Sequence, residues 1–273
     1  MKVLYSILFF LIFGFVSSFA SSVVNATNST NSTNCTNSTS SVILQPNQMV
    51  QQPSNFTNQT TVTNIRFLDN IKLLHDMGYL PFYATRVNGN VVTWQWDYPV
   101  IPDELQNLTP TGPNSILYQS AMKSFQNDTG MPATYSNLAL AYNNGNKSSK
   151  CFVWILVSKK LPERIKVWQN GSYVLESNCN TGIRNGLTPN GSFMIYARYR
   201  KFTMSGRWPI NDKPYYDPDV PYVNFFYSGD AIHGFVRSSY GYPQSAGCIE
   251  LPVNFSKQLF QYTYIGTVVT IIQ

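Results

Sequence analysis

The spacing of apolar residues along this chain changes near residue 150. Before that point two runs have helical spacing, one stopping at Gly78 and the other at Gly130. Their apolar residues, three or four positions apart, are Ile65, Leu68, Ile71 and Leu74 in the first run and Leu117, Ala121 and Phe125 in the second. Residues 64–142 are therefore predicted to form a small, mostly helical domain.

After a polar hinge at 143–150, the pattern is typical of strands, with short β-branched and aromatic runs separated by Gly, Pro and Asn. The predicted strands are residues 152–157, 164–168, 173–177, 192–199, 222–227 and 266–272. The Asn170-Gly171 pair predicts a hairpin turn, and a helix is expected near 255–262. Residues 150–273 are predicted to be a β-rich domain of sandwich or barrel type, which makes the chain an α+β, multidomain protein.

The first 63 residues are predicted to lie outside these domains. An apolar run at 3–16 followed by Ser18-Phe19-Ala20 has the form of a cleavable signal peptide, residues 1–20. Residues 21–63 are rich in Asn, Ser and Thr and cannot bury enough apolar surface to fold, so they predict a flexible stalk. Their N-x-[ST] triplets are glycosylation acceptors, although such a composition also produces these triplets by chance. We expect a secreted or cell-surface protein with no membrane span after cleavage.

Charge and composition exclude several classes of function. The net charge is +6, yet charged residues are only 12% of the chain, and Lys and Arg do not gather into the dense patch of a nucleic-acid binder. A mild positive excess suits an acidic wall polymer or cell surface. Two histidines and four scattered cysteines give no metal-ligand spacing, so neither a metal nor a cofactor is expected.

Candidate chemistry lies in the segment HGFVRSSYGYPQSAGC, from His233 to Cys248. A cysteine nucleophile needs a base to produce thiolate near neutral pH, and a histidine is the usual base. Glycines beside both residues allow tight turns that expose peptide N–H groups toward a reacting carbonyl. This layout indicates an acyl-transfer site, against the alternative that Cys248 is a buried structural thiol.

The same segment resembles the catalytic motif of the L,D-transpeptidases, in which an HG-type histidine and a variable loop precede S-x-G-C. These enzymes remodel bacterial peptidoglycan. The resemblance extends over about 151–273, through FVWILVSKKLPERIKVWQNG and NTGIRNGLTPNGSF upstream and GTVVTII downstream. Many members have histidine where this chain has Ala246, which puts substrate positioning in question more than the chemistry. The resemblance implies the same fold for this domain.

The resemblance also implies roles for individual residues. Cys248 would attack a stem-peptide carbonyl to form a thioester, with His233 as its base and the Gly234 carbonyl fixing the imidazole tautomer. The N–H groups of Gly247 and Cys248 are the expected oxyanion donors, and Ser245 is expected to shape the loop.

Three further candidates are Arg237 and Tyr240 inside this motif and Asp230 just before it. Arg237, together with Tyr240, could bind a substrate carboxylate, or the arginine could be solvated. Asp230 could orient His233 or accept hydrogen bonds within a turn.

Three functions follow as alternatives. The first is a secreted L,D-transpeptidase acting on peptidoglycan or a related wall polymer. The second is a carboxypeptidase or endopeptidase, if water resolves the acyl-enzyme. The third is an inactive glycan-binding surface module. Residues 64–142 resemble peptidoglycan-binding helical domains in LHDMGYLP and AMKSFQNDTGM, which predicts a role in holding the polymer.

The remaining cysteines suggest a disulfide. Cys151 opens one predicted strand and Cys179 closes another, so antiparallel packing of these strands would bring the two thiols together in an oxidising compartment. That bridge would leave Cys248 free.

Overall fold

The computed structural model describes residues 60–61, 65–87, 91–184 and 187–273. The expected signal peptide and nearly all of the expected stalk lie outside the described residues. Within the described part, no helix is both long enough and apolar enough to cross a membrane.

The helices and strands follow one another along the chain with these bounds. The helices are α1 (Ile65–Asp76), α2 (Asp103–Gln106), α3 (Ile116–Thr129), α4 (Tyr135–Asn143) and α5 (Val253–Tyr262). The strands are β1 (Thr60–Thr61), β2 (Phe82–Val87), β3 (Val91–Trp96), β4 (Val153–Ser158), β5 (Arg164–Gln169), β6 (Ser172–Asn178), β7 (Gly191–Met194), β8 (Ala197–Arg207), β9 (Pro214–Tyr227), β10 (Asp230–Gly234), β11 (Ile249–Leu251) and β12 (Val268–Ile272).

The N-terminal segment is helical, as predicted, and its two main helices begin and end where the apolar spacing indicates. Helix α3 starts after Ser115 and ends at Gly130, which adopts a left-handed conformation with φ of 70°. The segment also contains a sheet of order β1-β3-β2, which the sequence analysis did not predict.

The C-terminal part is a sandwich of two sheets. One sheet has the order β6-β5-β4-β12-β7 and the other the order β11-β10-β9-β8. Their facing sides bury one apolar cluster, with Ile155 and Val269 from the first sheet and Phe226 and Ile232 from the second. The expected hairpin turn is present, because Asn170 and Gly171 both have positive φ between β5 and β6.

Strand β4 is buried on both faces because alternate residues meet different neighbours. Val153, Ile155 and Val157 point into the sandwich. Trp154 and Leu156 point away from it, into a second core that also contains Leu117 and Phe125 of α3. The helical segment and the sandwich therefore share one hydrophobic core.

Hydrogen bonds reinforce that contact. Ser124 Oγ of α3 donates to the Ile265 carbonyl at 3.1 Å, and Ser120 Oγ donates to Gly266. In the expected hinge, the Ser148 N–H donates to the Met77 carbonyl at 2.7 Å. The stretch at 143–150 is thus tied to the helical segment.

A long antiparallel hairpin, β8–β9, extends beyond the sandwich. The sequence pattern predicted strands only at its base, at 192–199 and 222–227. The rest of β9 contains Pro214, Pro218 and Pro221, a residue type that is rare inside sheets. Prolines are tolerated here because β10 pairs with β9 only at residues 224–227. The earlier part of β9 has β8 as its one described neighbour, and a proline needs no partner on its open side.

The predicted Cys151–Cys179 bridge is wrong. Cys179 is a free, fully buried thiol, whereas Cys151 is disulfide-bonded, so the two cysteines are not joined to each other. Because β4 and β6 are both antiparallel to β5, they run parallel to each other. The start of β4 and the end of β6 consequently lie at opposite ends of the sheet, about 20 Å apart for strands of this length.

Candidate active site

The parallel pairing of β10 with β11 brings the candidate base and nucleophile together. His233 is opposite Glu250, and Ile232 is opposite Ile249. Cys248 directly precedes β11, which places it next to Ala231, and the Ala231 backbone hydrogen-bonds to the thiol. Since side chains alternate along strands, Cys248 and His233 lie on the same outer face of the sheet, on neighbouring strands.

His233 is held in one tautomer. Its Nδ1–H donates to the Gly234 carbonyl over 3.1 Å, which leaves Nε2 to accept a proton in the pocket. The ring is buried and packs edge-on against Phe235 at 6.0 Å. Burial lowers the pKa of His233, so the imidazole is neutral at rest.

Cys248 is a free thiol at the floor of the same pocket. Burial raises the pKa of the Cys248 thiol to about 12, and the hydrogen bond from the Ala231 backbone offsets part of that rise. Asp230 and Glu250 add a smaller electrostatic increase to this pKa. The resting pair is therefore a neutral thiol beside a neutral imidazole, which suits proton transfer during attack rather than a preformed ion pair.

Ser245 makes two hydrogen bonds within residues 244–248, here called the nucleophile loop after the candidate nucleophile Cys248. Its Oγ donates to the Cys248 carbonyl at 2.5 Å and accepts the Gly247 N–H at 3.1 Å. The Gly247 N–H, expected as an oxyanion donor, is thereby engaged within the loop. The Cys248 N–H makes no comparable hydrogen bond to another described residue, so of the two expected donors it is the one open to an oxyanion.

Asp230 lies against this loop and does not orient His233. A Cβ at Gly247, whose φ is 143°, would be only 2.4 Å from Asp230 Oδ1, so the loop requires glycine there. Burial raises the pKa of Asp230 to about 6. Burial raises the pKa of the nearby Tyr196 and Tyr215, and the Asp230 carboxyl group adds a smaller increase to each. A titrating carboxyl group thus stands beside the nucleophile.

The two expected substrate-binding residues are engaged inside the protein. Arg237 forms a bidentate ion pair with Glu250, with Nε–Oε2 and Nη2–Oε1 distances of 2.8 and 2.7 Å. Tyr240 accepts the Arg237 N–H at 3.2 Å and donates its own hydroxyl to the Phe235 carbonyl at 2.5 Å. Both contacts brace the loop between base and nucleophile, and Arg237 is not simply solvated.

A second loop, residues 179–184 and 187–188, forms hydrogen bonds to the nucleophile loop, and we call it the anchor loop. Thr181 accepts the Gln244 and Ser245 N–H groups through its carbonyl, at 2.8 and 3.0 Å. The Thr188 hydroxyl accepts the Gly182 N–H at 2.8 Å and donates to the Gly247 carbonyl at 2.7 Å. The position of Cys248 therefore depends on hydrogen bonds from this anchor loop.

A buried carboxylate fixes the anchor loop. Glu163 accepts the Thr181 N–H at 2.6 Å and the Thr181 hydroxyl at 2.7 Å. Burial raises the pKa of Glu163, and these two hydrogen bonds oppose the rise. Sequence reasoning did not identify Glu163, Thr181 or Thr188. The only sequence signal was that KKLPERIKVWQNG and NTGIRNGLTPNGSF fall within the region of family resemblance.

The pocket over Cys248 has a volume of about 250 Å³. The β8–β9 hairpin supplies one wall, and the residues that line it are Met204, Trp208, Tyr215, Asp217 and Val220. His233, Phe235 and Arg237 form the other side, with Ser245, Ala246 and Cys248 at the base. Ala246 lines this pocket with its methyl group.

Comparison with known proteins identifies similar catalytic domains. Residues 153–271 match the family model of the L,D-transpeptidase catalytic domain. No curated protein matches the chain. Residues 153–271 of this chain are therefore similar to the catalytic domain of the L,D-transpeptidases.

Similar solved structures are L,D-transpeptidases of low sequence identity. An L,D-transpeptidase from Mycobacterium smegmatis is 19% identical with a TM-score of 0.41, over 46% of this chain and 60% of that one. The catalytic domain of the Enterococcus faecium enzyme is 26% identical with a TM-score of 0.40, over 44% of this chain and 95% of that one. This chain thus spans about three fifths of the mycobacterial protein.

Proposed function

We propose that the protein is a cysteine acyltransferase that acts on the stem peptides of peptidoglycan or of a related wall polymer. One observation carries the proposal. A free cysteine and a histidine with a fixed tautomer line one pocket at the ends of two paired strands. Stem peptides are the substrate that similarity to the L,D-transpeptidases suggests.

In the first half-reaction Cys248 Sγ attacks the amide carbonyl of the third stem residue. Nε2 of His233 takes the thiol proton, and the Cys248 N–H stabilises the oxyanion. The carbon–nitrogen bond then breaks, and His233 returns the proton to the leaving amine. The products are a thioester on Cys248 and a free D-amino acid.

In the second half-reaction an acceptor amine attacks the thioester carbonyl. His233 takes a proton from the attacking nitrogen, the carbon–sulfur bond breaks, and the thiol regains a proton. Transfer to an amine competes with attack by water, which is far more abundant, so the site must position the acceptor and limit solvent. The apolar wall formed by Met204, Trp208 and Tyr215 supports transfer over hydrolysis.

Export and residence at the cell surface belong to the same proposal. They are supported by the signal-like N-terminal sequence and by the location of the suggested polymer outside the cell. The helical segment is a further candidate for polymer binding. The predicted stripe of Leu117, Ala121 and Phe125 is core, however, so such binding requires another face of that segment.

Incubation with a defined tetrapeptide donor and increasing acceptor amine tests the function. We expect a cross-linked product that increases with acceptor concentration and exceeds the tripeptide released by water. Tripeptide alone at every acceptor concentration would make the protein a hydrolase. Neither product, from a protein with intact Cys248, would leave the glycan-binding module as the better account.

A further inference from the structure

An exposed group of four aromatic rings lies beside the catalytic pocket on the outer face of the β8–β9 sheet. We call it the aromatic shelf, and it consists of Tyr196, Tyr199, Phe202 and Phe225. The ring centroids of Tyr199 and Phe202 are 4.9 Å apart, and those of Phe202 and Phe225 are 5.1 Å apart. Tyr196 and Tyr199 each lie 6.1 Å from Phe225.

The shelf is open to solvent although its rings are large and apolar. Tyr196, Tyr199 and Phe202 are 43%, 44% and 38% exposed, and only Phe225 is half-buried. Exposed apolar surface in one contiguous group costs free energy unless a ligand covers it. The Tyr199 hydroxyl has no hydrogen-bond partner among the described residues, so the shelf also presents a free polar group.

The shelf is continuous with the catalytic site. Phe225 packs against the small cluster of Val223 and Ala231, which also contacts Cys248. Phe225 is paired with Ala231, and the backbone of Ala231 hydrogen-bonds to the thiol. The shelf therefore adjoins the residues that contact Cys248.

We propose that the aromatic shelf binds the pyranose rings of the glycan strand from which the stem peptide hangs. Aromatic faces are electron-rich and attract the polarised hydrogens on one face of a sugar ring. The sugar's hydroxyl and amide groups can meanwhile bond to a free hydroxyl such as that of Tyr199. This inference rests on the proposed function, because the glycan strand belongs to the same polymer.

The distances fit this arrangement. In the order β11-β10-β9-β8, Cys248 and Tyr199 are separated by three strand spacings across the sheet and two residues along it, about 16 Å in total. Three extended stem residues reach about 10 to 11 Å from the scissile carbonyl to the sugar attachment, and a sugar ring adds a few Å. A stem that crosses β10 and β9 places its sugar over Tyr199 and Phe202.

A sugar-only probe tests the shelf without any chemistry. Binding of chitotetraose, a chain of four N-acetylglucosamine rings, is measured on the full chain, on Tyr199→Ala/Phe202→Ala and on Tyr173→Ala. Tyr173 is a matched control, since it is 42% exposed but lies on β6 of the other sheet. We expect the double variant to bind at least about tenfold more weakly and the control to bind like wild type. Equal affinity in all three proteins would overturn the proposal.

A kinetic comparison connects the shelf to catalysis. The ratio of kcat/KM for a disaccharide-tetrapeptide to that for the free tetrapeptide should fall about tenfold in the double variant, mainly through KM, and stay constant in Tyr173→Ala. An unchanged ratio would contradict sugar binding.

A wild-type dimer that dissociates in the double variant would also overturn the proposal, because a second copy of the chain would then cover the shelf. If wild type transfers no acyl group from either donor, the proposed function is wrong. The chitotetraose experiment then still tests whether the shelf binds sugar.

Discussion

The Nδ1–H of His233 donates to the carbonyl oxygen of Gly234, its neighbour in the chain, over 3.1 Å. A backbone carbonyl here does what an orienting carboxylate does in other catalytic triads, since it fixes the ring and directs Nε2 toward the pocket. Unlike a carboxylate, it adds no full negative charge. Burial can therefore keep the pKa of His233 low and its ring neutral.

Alkylation of the free enzyme should report this neutral resting pair. Because burial raises the pKa of Cys248 to about 12, the thiolate fraction at pH 7 is very small. We expect iodoacetamide to modify Cys248 slowly at pH 7, about tenfold faster with each added pH unit up to pH 10. A rate that is already constant between pH 5 and 7 would contradict this account, because it would indicate a thiolate–imidazolium ion pair. Cys248→Ser is the control for the modified site.

Thiol labelling should distinguish the three described cysteines. Without reductant, the folded protein should be labelled at Cys248 only, because Cys179 is fully buried and Cys151 is disulfide-bonded. Unfolding without reductant should add Cys179, and reduction should then add Cys151. Peptide mapping by mass spectrometry checks the order. Failure to label Cys179 on unfolding would restore the bridge predicted from the sequence. Labelling of Cys151 before reduction would contradict its disulfide bond.

The Asp230 carboxyl group should make stability depend on pH. Burial raises its folded-state pKa from 3.8 to about 6, so the folded state binds a proton more tightly than the unfolded state. Its contribution to stability is thus complete below about pH 4 and is lost as pH rises through 6. The melting temperature of wild type should fall over this window relative to that of Asp230→Asn, and above about pH 7 the difference should be constant. A difference in melting temperature between the two proteins that stays constant from pH 4 to 7 would show that folding does not raise the pKa of Asp230.

The shared core predicts that the helical segment and the sandwich unfold together. Phe125→Ala removes a fully buried ring from α3 and should cost about 3 to 5 kcal/mol. Leu140→Ala on α4, where the side chain is 52% exposed, should cost less than about 0.5 kcal/mol. Calorimetry should show a single transition that shifts in Phe125→Ala. Two transitions, with only the smaller one shifted, would mean that residues 64–142 are an independent domain.

Local patterns predicted much of the fold. The helical spacing predicted α1 and α3, and Gly78 and Gly130 marked their ends, because these signals depend on neighbours within one turn. The Asn170-Gly171 turn and the continuous apolar run of β4 were visible for the same reason. The β2–β3 hairpin was missed although Asn88-Gly89 between two β-branched runs is a hairpin signal.

The unpredicted features depend on contacts between distant segments. The disulfide prediction failed because the ends of β4 and β6 become distant only when β5 pairs between them. Glu163 gains its role from Thr181, eighteen positions away, and nothing in its local sequence indicates that contact. Cys248 and His233 were predictable because a short motif carries both, whereas the residues that position them come from separate loops.

Intact-mass spectrometry of the acyl-enzyme tests the central claim most directly. Full-length protein is mixed with a carbapenem, which acylates a cysteine nucleophile through its strained amide, and the adduct is mapped by proteolysis. The account predicts a single adduct on Cys248, none in Cys248→Ala, and acylation of His233→Ala that is about 100-fold slower or more. An adduct that persists in Cys248→Ala, or acylation of His233→Ala at the wild-type rate, would contradict the assignment of nucleophile and base.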